Sequence, residues 1–463
     1  MSHYIITLLL IAAMANSCSN NVTWAATREI PFPLQNDSST TSPSWFDLHF
    51  QMTSITQGRD ALRAQYSGQN SLRTPSETAM SLTATLFFTA RLWQGADLTF
   101  HPEIAGGEGL SGATGVAGFP NGETFRVGQA KPVLYPARLY LRQRFDFTNE
   151  RDTISTISGK SLSSQNELFQ KSGTTSHLTL VLGKFSAADF FDESSYSHDP
   201  RMQFLNWSLM SAGAWDYPAD TRGYTIGAAA KWTINNWAFS TMFTMVPTTA
   251  NGLELDTRIG EAFGAALQAE HHYALSGRKG IMRILAFRNI ANAGTYRDAV
   301  RLALPLQSPD ITQTRRYATA KFGFVLGVEQ ELSNNLGLFA RASWNDGTSE
   351  TWAFTEIDHS VCAGIQLDGN LWQRTDDVIG IASVLNGISG DHRQYLADGG
   401  YGFIIGDGAL RYAPEWISEF YYRFQLNNWC SISADYQCVV NPAYNQDRGP
   451  VVHIGAVRIH VEF

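Results

Sequence analysis

The chain has 463 residues, of which 16% are charged, 12% are aromatic and 39 are glycine, and its formal net charge is −8. Charged residues are scarcer than the roughly 25% of an ordinary soluble domain, and no Pro-, Ser- or charge-rich linker divides the middle of the chain. No basic run is present to collect phosphates, which excludes a nucleic-acid partner and leaves small neutral or ionic solutes.

The N-terminal segment predicts a secretory signal peptide. Residues 4–15 are apolar, too short a run to span a membrane but the length of a signal-peptide core. We predict a signal peptide over residues 1–26, cleaved after Ala15 or near Ala26, and a periplasmic lead over 27–44. The core has no Lys or Arg before it, which leaves the true start codon open. Acylation of Cys18, as in a lipoprotein, is an alternative, although the three residues before it fit that motif poorly.

Alternating runs predict β-strands from residue 45 onward. In the first run, Phe46, Leu48, Phe50 and Met52 alternate with polar residues. The next run, from Met80 to Leu92, is a dozen residues long, which suits a tilted membrane strand better than a soluble sheet. No stretch after the N-terminus approaches 18 apolar residues, so no membrane helix is predicted. A closed barrel is the other structure that satisfies a backbone in lipid.

The connections between the runs have two lengths. A Gly-rich loop, Ala105 to Val133, and an excursion, Ser186 to Arg222, are long, whereas Asn-Asn pairs at 235–236, 334–335 and 427–428 predict tight hairpin turns. Long loops that alternate with short turns are typical of outer-membrane barrels, with the short turns in the periplasm. The predicted fold is therefore all-β: a transmembrane antiparallel β-barrel over residues 45–463 with a water-filled channel. It has sixteen strands, or eighteen if Tyr401 to Ile405 and Gly408 to Tyr412 are separate strands.

The last strand alternates until the chain ends on an aromatic residue. Val457, Ile459, Val461 and Phe463 are apolar and the residues between them are polar. A final strand of this kind resembles the signal that the barrel-assembly machinery reads, although an edge strand of an ordinary β-sandwich is an alternative. Aromatic residues near strand ends predict interfacial girdles; they include Trp232, Trp237, Trp344, Trp416, Tyr421, Tyr422 and Trp429.

Candidate pore-lining residues come from one strand and two loops. Arg138, Tyr140, Arg142 and Arg144 share one face of a predicted strand, and each arginine would cost roughly 2–4 kcal/mol in mid-membrane lipid. They must face the lumen or water; a solvated sheet face is the alternative. If the long loops fold inward they narrow the pore, and if not, their residues are exposed and contact no solute. The loop candidates are Glu123 and Arg126, then Arg201, Asn206, Trp207, Trp215, Asp216 and Arg222.

Seven motifs lie between Trp45 and Phe463: PEIAGGEGLSGATGVAGFPNGETFRVG (102–128), ARLYLRQ (137–143), LGKFSAADFFD (182–192), DPRMQFLNW (199–207), AWDYPADTRGYT (214–225), SWNDG (343–347) and NPAYNQDRGP (441–450). Together they resemble the carbohydrate-selective porins of the OprB family. The resemblance implies a 16-stranded channel in a Gram-negative outer membrane that passes monosaccharides, or related small polar solutes, by passive diffusion. Its implied partners are outer-membrane lipid, lipopolysaccharide and the barrel-assembly machinery, and the oligomeric state stays open.

No cofactor, metal site or catalytic set is predicted. Cys430 and Cys438 lie too far apart on one strand to form a disulfide, and the histidines have no partner motif such as GxSxG. An energy-coupled receptor would need a plug domain ahead of the barrel, for which the sequence leaves too few residues. Two alternatives to a sugar channel stay open: a structural or adhesive barrel with a blocked lumen, and a porin specific for small non-sugar ions.

Overall fold

A computed structural model describes residues 45–124, 130–147, 176–353, 356–449 and 451–463. These residues form sixteen antiparallel strands, each paired with the next along the chain, and β1 pairs with β16 to close a barrel. The strands are β1 (Phe46–Arg59), β2 (Glu77–Trp93), β3 (Ala96–Gly107), β4 (Val133–Asp146), β5 (Ser176–Phe185), β6 (Thr225–Ile234), β7 (Trp237–Thr244), β8 (Phe263–Leu275), β9 (Arg278–Ala293), β10 (Arg316–Ser333), β11 (Leu336–Asn345), β12 (His359–Asp368), β13 (Val378–Gly387), β14 (Glu415–Asn427), β15 (Cys430–Val440) and β16 (Val451–Glu462).

The sixteen-strand prediction is confirmed and the eighteen-strand alternative is wrong. Residues 401–412 lie in the connection between β13 and β14 and form no strand. Glycines at 402, 406 and 408 interrupt this segment, and two of them, Gly406 and Gly408, have positive φ. Such a backbone cannot continue a regular strand ladder.

Each strand has one apolar face toward the membrane and one face toward the barrel interior. On β4, for example, Leu134 and Leu139 are exposed, whereas Ala137, Arg138 and Tyr140 are buried. A register shift between β3 and β4 accommodates Ala137 as an extra residue, so that it and Arg138 are both buried. The alternation that predicted these strands is therefore a lipid face opposite an interior face.

Aromatic side chains surround the outer face, as the sequence predicts, with one exception. The five tryptophans named above are exposed, but Tyr421 is fully buried. It is in phase with the interior residues Glu419 and Arg423 on β14, and its ring packs edge-on against Phe204 inside the barrel at 4.9 Å. The prediction that Tyr421 belongs to a girdle is wrong, because only its neighbour Tyr422 shares the phase of the outer face.

Short turns lie at one end of the barrel, but not all connections at that end are short. Two-residue turns join β2 to β3, β6 to β7, β8 to β9, β10 to β11 and β14 to β15. Among the three Asn-Asn pairs only Asn235 has a positive φ, 51°. The same end carries residues 147–175, of which 148–175 lie outside the described residues, and residues 369–377.

The helices lie in the connections. Within the described part of the chain, none is long and apolar enough to cross a membrane. The α-helices are α1 (Trp207–Met210), α2 (Tyr296–Leu302) and α3 (Gly390–Ala397), and the 3-10 helices are Leu110–Gly112, Ala187–Asp189, Ile311–Thr314, Gly369–Trp372, Pro442–Tyr444 and Gln446–Arg448.

The hydrophobic core lies inside the barrel. Its largest cluster contains Phe119 of the Gly-rich loop with Phe191, Trp207, Trp215 and Tyr217 of the excursion, packed against interior residues of the wall. An open pore lined only by strands would leave these rings in water. Both long loops therefore fold into the lumen.

Candidate functional site

The Gly-rich loop enters the barrel and binds its wall through backbone groups. The carbonyl of Pro120 accepts hydrogen bonds from Gln57 Nε2 at 3.0 Å and Gln437 Nε2 at 2.8 Å, side chains that project inward from β1 and β15. Glycine is required where this loop meets the excursion: a Cβ on Gly118 would lie 2.4 Å from Ser208 Oγ. The loop is therefore held against strands β14, β15, β16 and β1, which are called the β14–β1 side of the barrel below.

The excursion leaves the end of β5, crosses the lumen and binds β14 and β16 on the far side of the barrel. On β14, the Glu419 carboxylate accepts from the N–H groups of Leu205 at 2.6 Å and Asn206 at 2.8 Å. On β16, Arg458 Nη1 donates to the carbonyl of Gln203 at 2.7 Å. Because buried charged groups need close partners, these contacts fix the path of the excursion.

Ion pairs hold the excursion to β10 and β11 as well. Arg341 on β11 contacts Asp192 at 2.8 Å, and Lys321 on β10 lies 3.5 Å from Asp216. Burial raises the pKa of Asp216, an effect that Lys321 and two backbone N–H groups oppose only in part. These contacts join the excursion to a second sector of the wall.

Four predicted pore-lining residues, Asn206, Trp207, Trp215 and Asp216, are buried within these loops. Trp207 packs between the rings of Phe119 at 5.0 Å and Tyr217 at 5.8 Å. Asn206 caps α1 by accepting from Ser208 N at 3.1 Å and donates to the carbonyl of Gly118 at 2.8 Å. Their side chains hold the loops together rather than present a surface to solute, because the two loops pack against each other.

The predicted arginine face is present on β4 and is paired with carboxylates. Arg138 donates from Nε and Nη2 to Asp189 at 2.7 and 2.6 Å, and Arg142 Nη2 lies 2.5 Å from Asp97. The next arginine on this face, Arg144, likewise contacts Asp146 at 2.7 Å.

Arg201 lies between two buried glutamates. Its Nε is 2.9 Å from Glu123 and its Nη2 is 3.0 Å from Glu103 on β3. Burial raises the pKa of Glu123, an effect that Arg201 opposes and Glu103 reinforces. Hydrogen bonds from Tyr135 at 2.6 Å and other hydroxyl groups also reach Glu103.

Further charged residues lie on the same side. The Arg222 guanidinium lies 4.4 Å from the ring centre of Tyr135, and the pairs Lys184–Asp220 and Lys231–Glu193 approach to 4.0 and 3.7 Å. Arg126, the remaining candidate, lies outside the described residues.

Sequence reasoning missed the acidic partners. In the sequence, Asp189 resembles any charged residue in a loop. In the structure it ends the 3-10 helix Ala187–Asp189 and accepts hydrogen bonds from Arg138. The only signal was that LGKFSAADFFD carries Lys184 and Asp189 at the point where a strand enters a loop. Asp97 faces Arg142 across a strand pair, which a hairpin register counted from the Gln94–Gly95 turn could have found.

The two sides of the interior differ in access to water. On the β14–β1 side, Glu419, Gln437 and Arg458 are 2%, 0% and 1% exposed. On the β3–β6 side, the side chains of Arg138, Arg142 and Lys184 are 10%, 11% and 22% exposed. The side chains of these β3–β6 ion pairs are therefore less completely buried than the loop-binding residues of β14, β15 and β16.

Comparison with known proteins agrees with this geometry. The family model of the carbohydrate-selective porin, OprB family, matches residues 69–463, which is most of the chain. The chain belongs to this family. It is an outer-membrane porin, a channel for passive diffusion of carbohydrates or related small polar solutes.

Solved outer-membrane channels are similar to this chain at low sequence identity. The high-pH structure of Pseudomonas putida OprB is 15% identical, with a TM-score of 0.65 over 90% of this chain and 94% of that one. The outer-membrane channel DcaP of Acinetobacter baumannii is 10% identical, with a TM-score of 0.47 over 92% of this chain and 99% of that one. A search of the curated proteins finds no match. This OprB-family barrel therefore shares its fold with the Pseudomonas putida protein despite the low sequence identity.

Proposed function

We propose that sugar crosses this OprB-family barrel along the β3–β6 side of the lumen, past the paired charges of β4 and Arg201. The observation that carries the proposal is the difference in exposure between the two sides. A sugar at a constriction exchanges hydrogen bonds to water for hydrogen bonds to protein. Guanidinium groups supply donors and carboxylates supply acceptors at alternating positions, which suits hydroxyl groups that do both.

Pairing of the charges favours a neutral solute over an ion. Six basic side chains on this side each have an acidic side chain within 4.0 Å: Arg138, Arg142, Arg144, Lys184, Arg201 and Lys231. Opposite charges at this distance cancel much of each other's field, so these six pairs carry no excess of one sign of the kind that an ion-specific pore uses. The ion-specific alternative is therefore less well supported than the sugar channel.

The test is single-channel current in a planar bilayer while glucose is titrated into potassium chloride. Glucose should block the current saturably, and Arg142→Ala should weaken the block several-fold because a hydrogen-bond donor is lost from the path. The matched control is Arg288→Ala, since Arg288 lies on the exposed outer face of β9. Equal loss of block in both variants would contradict the proposed path.

The alternative of a structural or adhesive barrel with a blocked lumen predicts a different result in the same experiment. If the loops close the lumen, folded protein shows no conductance in potassium chloride and the channel proposal fails. If conductance appears but glucose only dilutes the salt, the solute is not a sugar. A reversal potential far from zero in a salt gradient would instead support the ion-specific alternative.

We also infer that residues 1–26 are removed as a signal peptide and that residues 27–44 form a periplasmic lead. N-terminal sequencing of the mature protein tests the cleavage site.

We further infer that the outer face of β16 binds the barrel-assembly machinery. Val457, Ile459 and Phe463 are exposed on that face, and Val461 shares their phase. Phe463→Ser should reduce the protein recovered from the outer membrane, and Val451→Ser, at the other end of β16, should not.

A further inference from the structure

Two buried arginines form a row on the β14–β1 side of the barrel interior. Arg423 of β14 pairs in register with Ser433 of β15, and Ser433 pairs with Arg458 of β16. All three side chains point inward and are 5%, 1% and 1% exposed. Because neighbouring strands are about 4.8 Å apart, the Cα atoms of the two arginines are separated by about 10 Å. Two side chains as long as arginine can meet across that distance.

Arg458 uses one of its nitrogens and leaves one edge of the guanidinium group without a partner. Its Nη1 donates to the carbonyls of Pro200 at 2.5 Å and Gln203 at 2.7 Å. Its Nε and Nη2 are buried and have no hydrogen-bond partner. On the other side of the barrel the same edge of Arg138 binds the two oxygens of Asp189. Arg458 therefore presents a pair of donors that matches two oxygens of one anion.

Arg423 lacks a counter-charge as well. Within the described part of the chain it has neither a hydrogen bond nor an ion pair, and its Nε is buried. Asp199 and Asp368 act on it only from beyond ion-pair distance, and Arg458 repels it. An uncompensated buried charge is strongly unfavourable. Because no bond fixes the Arg423 side chain, it is free to turn toward an anion.

The row lies near the periplasmic end of the barrel and behind the excursion. Ser433 is three residues from the start of β15, and Arg423 is four residues from the end of β14. At about 3.3 Å per residue, both lie roughly 10–13 Å along the strand from the turn that joins β14 to β15. Pro200 and Gln203 of the excursion rest against the row through Arg458. An anion that enters from the periplasmic end therefore needs to travel only a short distance, and it would be held between wall and excursion.

We propose that Arg423 and Arg458, with Ser433 between them, bind a small oxyanion such as phosphate or sulfate. The guanidinium groups supply charge and paired N–H donors, and the Ser433 hydroxyl supplies a further donor. Chloride has no second acceptor atom for the paired edge of Arg458, so the site favours oxyanions over chloride. The row is on the opposite side of the lumen from the proposed sugar path, so neither proposal depends on the other.

The test is thermal melting of the full chain in detergent while potassium phosphate replaces potassium chloride at constant ionic strength. A ligand that binds only the folded state raises the melting temperature, and millimolar phosphate or sulfate should raise it saturably by several degrees. Arg423→Met should weaken the apparent phosphate affinity at least tenfold. In chloride alone it should melt no lower than the unaltered protein, because it removes an uncompensated charge. Arg423→Lys, which keeps the charge but loses the planar edge, should fall between the two.

The source of the oxyanion and the independence of the sugar path are tested with the same proteins. Arg142→Ala should keep the phosphate effect and lose glucose block, whereas Arg423→Met should lose the phosphate effect and keep glucose block. Glucose 6-phosphate is the second probe. If it displaces phosphate and reduces the current, the site binds the oxyanion group of an acidic solute. If inorganic phosphate and sulfate alone bind, the ligand is a free ion; both results support the site.

Three results would overturn the proposal. The first is an equal phosphate effect in Arg423→Met and the unaltered protein, which would indicate general salt stabilisation or an adventitious ion only. The second is a phosphate effect that appears only in Asp435→Asn. Asp435 lies on the same face two residues from Ser433, and both of its oxygens lack a hydrogen-bond partner, so it would then occupy the open edge of Arg458 itself. The third is a clear loss of stability of Arg423→Met in chloride, which would show that Arg423 has a partner within the protein.

Discussion

The two sides of the barrel interior use the same residue types for different purposes. On the β14–β1 side, Glu419, Gln437 and Arg458 bind backbone groups of the inserted loops and are nearly inaccessible to water. On the β3–β6 side, Arg138 and Arg142 bind carboxylate side chains and stay partly accessible. A charged residue that points into a lumen therefore does not by itself mark the solute path, because its partner decides whether it anchors a loop or lines the passage.

Removing an anchor should have the largest effect. Glu419→Leu leaves the N–H groups of Leu205 and Asn206 unpaired, and each unpaired buried group costs about 1–3 kcal/mol. The excursion should detach from β14 and give a larger, noisier conductance with a lower melting temperature. Glu261→Leu, which alters an exposed glutamate in the connection between β7 and β8, is the control. Unchanged conductance in Glu419→Leu would show that this wall does not hold the loops.

Arg201→Met should have the next largest effect, on stability. It leaves Glu103 and Glu123 buried without their cation, a loss of about 3–5 kcal/mol for a broken buried pair. The melting temperature in detergent should fall clearly, and adding Glu123→Gln to the variant should restore part of it. If the double variant melts at a lower temperature than Arg201→Met, repulsion between the two glutamates is not the reason for the loss of stability.

Acidification should shift ion selectivity by a moderate amount. The pKa of Glu123 in the folded protein is raised above its ordinary value of 4.5, chiefly by burial. Because the pKa is raised on folding, protonated Glu123 contributes to the free energy of unfolding. This contribution is fully present below pH 4.5 and is lost as the pH rises through the pKa of the folded protein. As pH falls from 7.5 to 4.5, Glu123 should lose its charge, leave Arg201 less neutralised and move the reversal potential toward anions. Glu123→Gln should flatten this change, and an identical pH profile in both proteins would contradict the assignment.

Asp97→Asn should have the smallest effect on the fold. The Asp97–Arg142 pair is partly exposed, and such pairs contribute roughly 0–1 kcal/mol. The melting temperature should barely move, whereas half-block by glucose should need two- to threefold more sugar because an acceptor is lost from the path. A large drop in melting temperature would place Asp97 with the anchoring residues instead.

The sequence was enough to predict the strands and the closed barrel, because those follow from local alternation and from the lengths of the connections. It was not enough to separate Trp207 and Asp216, which hold the loops, from Arg138 and Arg142, which line the accessible side. That distinction depends on contacts between residues far apart in sequence, such as Asn206 with Gln437. Tyr421 failed as a girdle prediction for a simpler reason: two adjacent tyrosines face opposite sides of a strand, and only the phase of the whole strand tells which is which.

Closure of the barrel between its first and last strands also constrains how the chain folds. Thr53 on β1 and His460 on β16 are hydrogen-bonded at 2.8 Å across a sequence separation of 407 residues. The other strand pairs join neighbours in the chain, so each hairpin can form early, whereas this seam requires both ends of the sheet. Contacts of high sequence separation form slowly because the chain between them must first be ordered. During assembly the edges of β1 and β16 therefore stay unpaired longest, and these are the edges at which aggregation competes with folding.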